Sequence, residues 1–306
     1  ASSVFGPAPA CGTGLRASCV RDDTYDMPAA ISHRRGLAYV LISAVCFSLA
    51  GVLIKVIPWN PISINGARCI FAIIPMYLYL RATGRRFHVN KKIIGGAILD
   101  FAMLETFVIA NKLTTAANAI VLQFTEPVWV ILLGWVVFRS RPRASALVAS
   151  AVVIAGIVCF FFDSLSAGGM LGNILAIASG LAYAGVFLLK ESPRCDFECA
   201  AILGFAACFV VGIPFYPQET VFTFDIALTI VALGVVQLGL AYLFLSKGLD
   251  AVSPVTASLT STIEPLLNPI LVAIVVGETI GPLSIFGAVL VVGAATAYNV
   301  YAARNG

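Results

Sequence analysis

The sequence predicts an all-α polytopic membrane protein: about ten transmembrane helices, arranged as two inverted five-helix repeats around a central cavity. Three observations lead there. The chain is 60% hydrophobic and only 11% charged, whereas a soluble domain is nearer one quarter charged. Apolar runs recur from Gly36 to the C-terminus between short polar breaks, and at about 20 apolar residues per crossing they accommodate about ten helices. Glutamate followed by proline occurs twice inside such runs, at Glu126-Pro127 and Glu264-Pro265. The period-two alternation of a membrane β-barrel is absent.

The first half places spans at 37–57, 61–80, 93–110, 117–138 and 145–162. The second half places them at 170–189, 198–216, 226–246, 255–276 and 282–302. Basic residues set their polarity. Arg34 and Arg35 precede the first span; Arg81, Arg85, Arg86, Lys91 and Lys92 follow the second. Arg139, Arg141 and Arg143 follow the fourth, Lys190 and Arg194 the sixth, Lys247 the eighth and Arg304 the tenth. The alternate loops carry Asp163, Glu219, Asp225 and Glu278, with Lys112 as their expected single base. Ten spans with both termini cytoplasmic satisfy this asymmetry, and the expected location is the cell (inner) membrane.

Residues 1–35 stand apart from the two repeats, 36–166 and 167–306. Ala1 to Met27 are rich in Gly, Ala, Ser and Pro and lack the apolar core of a signal peptide. Met27, before Pro28 and the basic His33-Arg34-Arg35, is a candidate start; a disordered tail and a transit-like leader are the alternatives.

The halves align at a shift of 138 residues. Glu126-Pro127 falls on Glu264-Pro265, and Lys112-Leu113-Thr114-Thr115-Ala116-Ala117-Asn118-Ala119 falls on Asp250-Ala251-Val252-Ser253-Pro254-Val255-Thr256-Ala257. Five helices per half is an odd number, so the second copy enters the membrane upside down. Inverted repeats of this kind bind solutes near the midplane, between the copies.

The succession of a small-residue first helix, a Leu-Thr-Thr-Ala-Ala-Asn-Ala loop, a Pro-containing helix and a Gly-rich helix resembles the EamA-type domain. Two such domains form transporters of the drug/metabolite transporter superfamily. Residues 110–159 resemble the end of one domain and 245–297 the end of the other, with Gly277-Glu278-Thr279-Ile280 matching the family's Gly-Glu turn. Phe138-Arg139-Ser140 departs from that turn in the first half. The resemblance implies a basket of ten helices with a central cavity and alternating access; it implies no particular substrate.

The expected binding residues are led by Glu126 and Glu264. A carboxylate at a helix centre costs about 2.5–3.5 kcal/mol on insertion scales, so an intramembrane glutamate points to function. These two can hold a cationic or amine-bearing solute or exchange protons. They can equally cap the half-helices that follow, with Pro127 and Pro265 as hinges at the first helical positions, or pair with Arg68. Arg68 itself could bind an anion, join a structural ion pair or snorkel outward. Glu105 is an unpaired addition, since its second-half equivalent is Leu243. On the same helix Asp100 lies about 140° away from it. Trp129 follows Glu126 by three residues and shares its face. Gln123, Tyr183, Gln237, Tyr242, Ser261 and Asn268 complete a mixed polar and aromatic set. Each of these could pack helices or contact solute, and together they suit a small organic solute. Small residues four apart, as in Gly180/Ala184 and Gly293/Ala297, permit close helix approach.

Several classes are disfavoured. The eight cysteines form no CxxC, and no histidine lies in a span, so no metal is expected. No Walker motif or catalytic constellation is visible, so neither an enzyme nor a cofactor is expected. The expected partners are a small-molecule solute and the lipid bilayer, without nucleic acid, for a monomer or homodimer. The expected function is secondary transport of an amino-acid-like, amine or drug-like metabolite, with a proton gradient as one candidate energy source. A passive facilitator or channel-like uniporter of the same fold is the alternative.

Overall fold

The computed structural model describes residues 32–139, 143–164, 169–276 and 281–305. The regular elements among these residues are all helical, and polar caps set where many of the helices begin. Ser32 opens α1 (His33–Ser48), which continues past Leu49 into α2 (Ala50–Val56). Asn60, with Pro61 behind it, opens α3 (Pro61–Ala82), and Asn90 opens α4 (Lys91–Leu113). In each case the side chain accepts a hydrogen bond from a first-turn N–H that has no partner within its helix.

The fourth traverse is broken into α5 (Ala116–Gln123) and α6 (Glu126–Phe138), and α7 is Ala144–Ser164. In the second half, α8 (Met170–Phe187) ends in a short 3-10 turn, and α9 (Phe197–Gly212) runs into another at Ile213–Gln218. Then α10 (Phe224–Ala232), a π-helical stretch Leu233–Leu240 and α11 (Ala241–Leu249) form one traverse. The ninth traverse is broken again, into α12 (Pro254–Ser261) and α13 (Glu264–Val276), before α14 (Pro282–Asn305).

The duplication is visible to the residue. A shift of 138 carries the bounds of α5 onto α12 and those of α6 onto α13. The caps repeat with it: Thr115 accepts from the Asn118 N–H, and Ser253 from the Thr256 N–H. Packing repeats too. The α4–α8 contact has its counterpart in α11–α1, and α4–α9 in the π stretch against α3. The α3–α9 and α7–α14 contacts map onto themselves. These are the relations of a pseudo-two-fold axis between five-helix units.

Among the described residues, seven helices are long and apolar enough to cross a membrane by length and composition, and shorter apolar helices lie at Ala144–Gly156 and Ile285–Tyr298. Large apolar side chains face outward on many helices, including Leu78, Ile98, Val136, Val148 and Ile274. In water such a surface would drive aggregation; in a bilayer it is solvated by lipid.

The two faces are closed differently. On the face where α1 begins and α14 ends, here the terminal face, charged side chains meet. On the opposite face the links are mostly to backbone. Lys55 Nζ donates to the Thr114 carbonyl at 3.0 Å and Lys112 Nζ to the Ile57 carbonyl at 2.6 Å, while the Trp59 indole donates to the Val221 carbonyl. Lys55 is thus a second base on the face where the loops suggested Lys112 alone; it was hidden because it ends an apolar span.

Candidate functional site

A small cavity lies between α1, α2, α3, α4, α5, α8, the π stretch and α13. In this structure its free space is about 20 Å³. Its apolar wall includes Phe47, Met103, Leu104 and Phe107, and its polar lining is Arg68, Gln123, Tyr183, Gln237 and Glu264.

The Glu-Pro pairs lie where the traverses break. Glu126 is the first residue of α6, with Pro127 in the position that needs no N–H donor, and Glu264 likewise begins α13 ahead of Pro265. Each carboxylate therefore stands at the positive end of a half-helix. Glu126 is fully buried and accepts a hydrogen bond from Ser258 at 3.0 Å, leaving Oε1 without a partner. Glu264 is buried, lines the cavity and has Oε2 unpartnered. It also lies within electrostatic reach of Glu126. Glu264 thus stands both at the start of a half-helix and on the cavity wall.

The other expected residues divide. Gln123 donates to Ser179 Oγ at 2.7 Å, and Ser179 donates onward to the Met103 carbonyl, which fixes Gln123 at the cavity wall. Tyr183 packs tilted against Phe187 and edge-on to Phe47, and its hydroxyl has no partner among the described residues. Gln237 is held by Arg68. Tyr242 does not line the cavity; it packs among Phe47, Phe197 and Phe205 and donates to Asp100. Glu105 is buried beside Asn65 and Cys208, and neither oxygen has a hydrogen-bond partner. Trp129 turns to its own helix and donates to Thr125 Oγ1 at 3.1 Å. Ser261 donates to the Ala257 carbonyl of its own helix. The Asn268 side chain lies outside the described residues, as does the Gly277–Ile280 turn.

Arg68 is the residue whose setting the sequence did not convey. It neither snorkels nor forms an ion pair among the described residues: it is 1% exposed, and its Nε and Nη1 donate to Asn65 and Gln237. The π stretch presents Gln237 to it. Gly234 allows this approach, because a Cβ there would collide with the Arg68 carbonyl and the Phe71 side chain.

The terminal face carries a second cluster. Glu198, fully buried at the start of α9, accepts from Arg85 at 2.8 Å and from Ser246, with Lys190 at 3.5 Å. Arg85 also bonds Asp196, and Lys190 bonds Asp250 at 2.7 Å. Burial alone would lower the Arg85 pKa, but its hydrogen bonds and charge contacts with Glu198 and Asp196 raise it, so it stays charged. Four segments are tied at this point. His88, Asp196 and Cys199 also place three potential metal-ligand atoms within 4.8 Å of one another. Asp196 is already engaged there, one oxygen by Arg85 and the other by the Cys199 N–H.

Two halves built alike, a cavity of mixed polar and apolar lining between them and an outward apolar surface agree with the comparisons. The profile of the EamA-like transporter family matches residues 34–162 and 170–300. The chain belongs to the EamA-like transporter family. It is 26% identical to an uncharacterized transporter of Archaeoglobus fulgidus over 84% of this chain and 94% of that protein. It is 25% identical to the uncharacterized transporter YwfM of Bacillus subtilis, over 82% of this chain and 89% of that protein. A third similar protein is the uncharacterized inner membrane transporter YicL of Salmonella typhimurium, at 24% identity over 85% and 96%. A solved crystal structure shares the fold with a TM-score of 0.70 at 16% identity, over 89% of this chain and 99% of that one. This EamA-like chain is an integral multi-pass membrane transporter, and not an enzyme.

Proposed function

We propose that this EamA-like transporter moves a small organic metabolite with an amine-bearing or amino-acid-like character by alternating access, with protons as the coupling ion. The observation behind this is the pair of buried, pseudo-symmetric carboxylates, Glu126 and Glu264. Each keeps an oxygen without a partner among the described residues, and buried polar groups are otherwise almost always satisfied. A cationic group or a proton supplies what they lack. Gln123, Tyr183 and Gln237 give the cavity polar anchors among apolar walls, the composition expected of a solute site.

The repeats, read as 36–166 and 167–306, would move against each other about Pro127 and Pro265. The Glu198 cluster closes one face and the Lys55 and Lys112 links close the other, so each half-cycle undoes one set. The distribution of Arg and Lys supports a terminal face in the cytoplasm and residence in the cell membrane.

The test is saturable uptake and counterflow in proteoliposomes across a solute panel and a pH series. Transport with counterflow is expected, with its pH dependence changed in Glu264→Gln. Non-saturating flux without counterflow would replace alternating access with a passive facilitator. Wild-type pH behaviour in both Glu126→Gln and Glu264→Gln would remove the proton-coupling claim.

A further inference from the structure

Arg68 is a buried cation with an unfinished set of bonds. A guanidinium has five N–H donors. Here Nε is taken by Asn65 Oδ1 at 3.0 Å and one Nη1 hydrogen by Gln237 Oε1 at 3.0 Å, while Nη2 has no partner among the described residues. Both partners are neutral amides. They hold the guanidinium plane in place without neutralising it. Asp100 and Glu105 lie within electrostatic reach, yet neither comes within ion-pair distance among the described residues. Asp100 accepts from Tyr242 instead. A buried charge that lacks a contacting counter-ion is costly, and this one lines the cavity.

We propose that Arg68 is the docking group for an anionic end of the solute, a carboxylate. The unpartnered Nη2 and the remaining Nη1 hydrogen present a fork that matches two carboxylate oxygens. Asn65 and Gln237 act as positioning residues that hold the fork in place at the cavity wall. This rests on the transport reading above and narrows its solute: one that bears a carboxylate at Arg68, with Glu264 on the same cavity available to its other end. A purely structural Arg68 would clamp α3 to the π stretch and show no preference among solutes.

The experiment uses the full chain in lipid nanodiscs, with acetate and its neutral isostere acetamide as probes at constant ionic strength. The expected result is a saturable rise of the thermal midpoint with acetate and none with acetamide. The rise disappears in Arg68→Gln and needs about tenfold more acetate in Arg68→Lys, which keeps the charge but loses the fork. Should Arg68→Gln fail to fold, Arg68→Lys alone decides. Equal stabilisation by acetate and acetamide, or an acetate response unchanged in the Arg68 variants, overturns the proposal, as does the absence of any response in wild type. Parallel proteoliposome uptake separates the two readings. Acetate binding that follows Arg68 without uptake of any solute leaves the anion site standing and removes transport by this cavity. Saturable uptake with no acetate response does the reverse.

Discussion

Ser258 donates a hydrogen bond to Glu126 Oε2 at 3.0 Å, and the residue that matches Ser258 in the other repeat is Ile120. The two carboxylates are therefore duplicated in position but not in surroundings. Glu264 lines the cavity, and its Oε2 has no hydrogen-bond partner among the described residues. A hydrogen bond to a charged group contributes about 1.5–3 kcal/mol, which is on the order of 10–100-fold in rate or affinity. Glu264→Gln is expected to reduce saturable uptake by that range, Glu126→Gln by less, and Ser258→Ala least. Initial uptake rates in proteoliposomes check the order; an Ser258→Ala defect equal to that of Glu264→Gln would show the asymmetry to be irrelevant.

The cluster around Glu198 predicts how the terminal face opens. In Arg85→Gln, Lys190 at 3.5 Å remains as the ion-pair partner of Glu198 among the described residues. The face should loosen without unfolding. In a variant whose only cysteine is the buried Cys199, maleimide labelling from the terminal side is expected to run several-fold faster when Arg85 is replaced. Unchanged labelling would mean that these ion pairs do not hold the face shut.

Gly180 and Gly293 make opposite predictions although both sit in small-residue patterns. A Cβ on Gly180 would strike the Gln123 carbonyl and come within 2.8 Å of Thr125 Oγ1, while a Cβ on Gly293 would meet no described atom within 4 Å. Gly180→Ala is expected to cost about 1–3 kcal/mol through overpacking, at the very point where Gln123 is fixed. Gly293→Ala should be neutral or stabilising by up to about 1 kcal/mol through helix propensity. Thermal midpoints of the two variants in detergent settle it.

Tyr242 and Ser246 are four residues apart on α11 and bond Asp100 and Glu198 respectively. Each removal, Tyr242→Phe or Ser246→Ala, leaves a buried carboxylate short of a donor, at about 1–3 kcal/mol. Because one short helix carries both, their effects on transport should couple by more than about 0.5 kcal/mol in a double-mutant cycle. Strict additivity would argue that the cavity and the terminal face move independently.

Much of the architecture was legible because lipid simplifies the code. Apolar run length placed the traverses, and the Arg and Lys distribution gave their alternation. The 138-residue shift carried α5 and α6 onto α12 and α13. The cavity lining was legible only where sequence oddity and geometry coincide, as at Glu264, Gln123, Tyr183 and Gln237. Trp129 and Ser261 satisfy their polar atoms within or next to their own turn, an outcome that residue type alone does not reveal. Arg68 was obscured for a different reason. Nothing local says whether an arginine in an apolar run reaches outward or inward; the answer lies in Gln237, 169 positions away, and in a π-helical register that no simple periodicity announces.

That register has a mechanical meaning. Each residue that the π stretch takes up or gives back turns α11 by about 100° and slides it about 1.5 Å relative to α10. Tyr242 and Ser246 share a face of α11, so one such change of winding would withdraw both hydroxyls together, one from the level of the cavity and the other from the terminal face. Eight residues of wider winding would then act as a clutch, freeing two depths of the second repeat in a single turn.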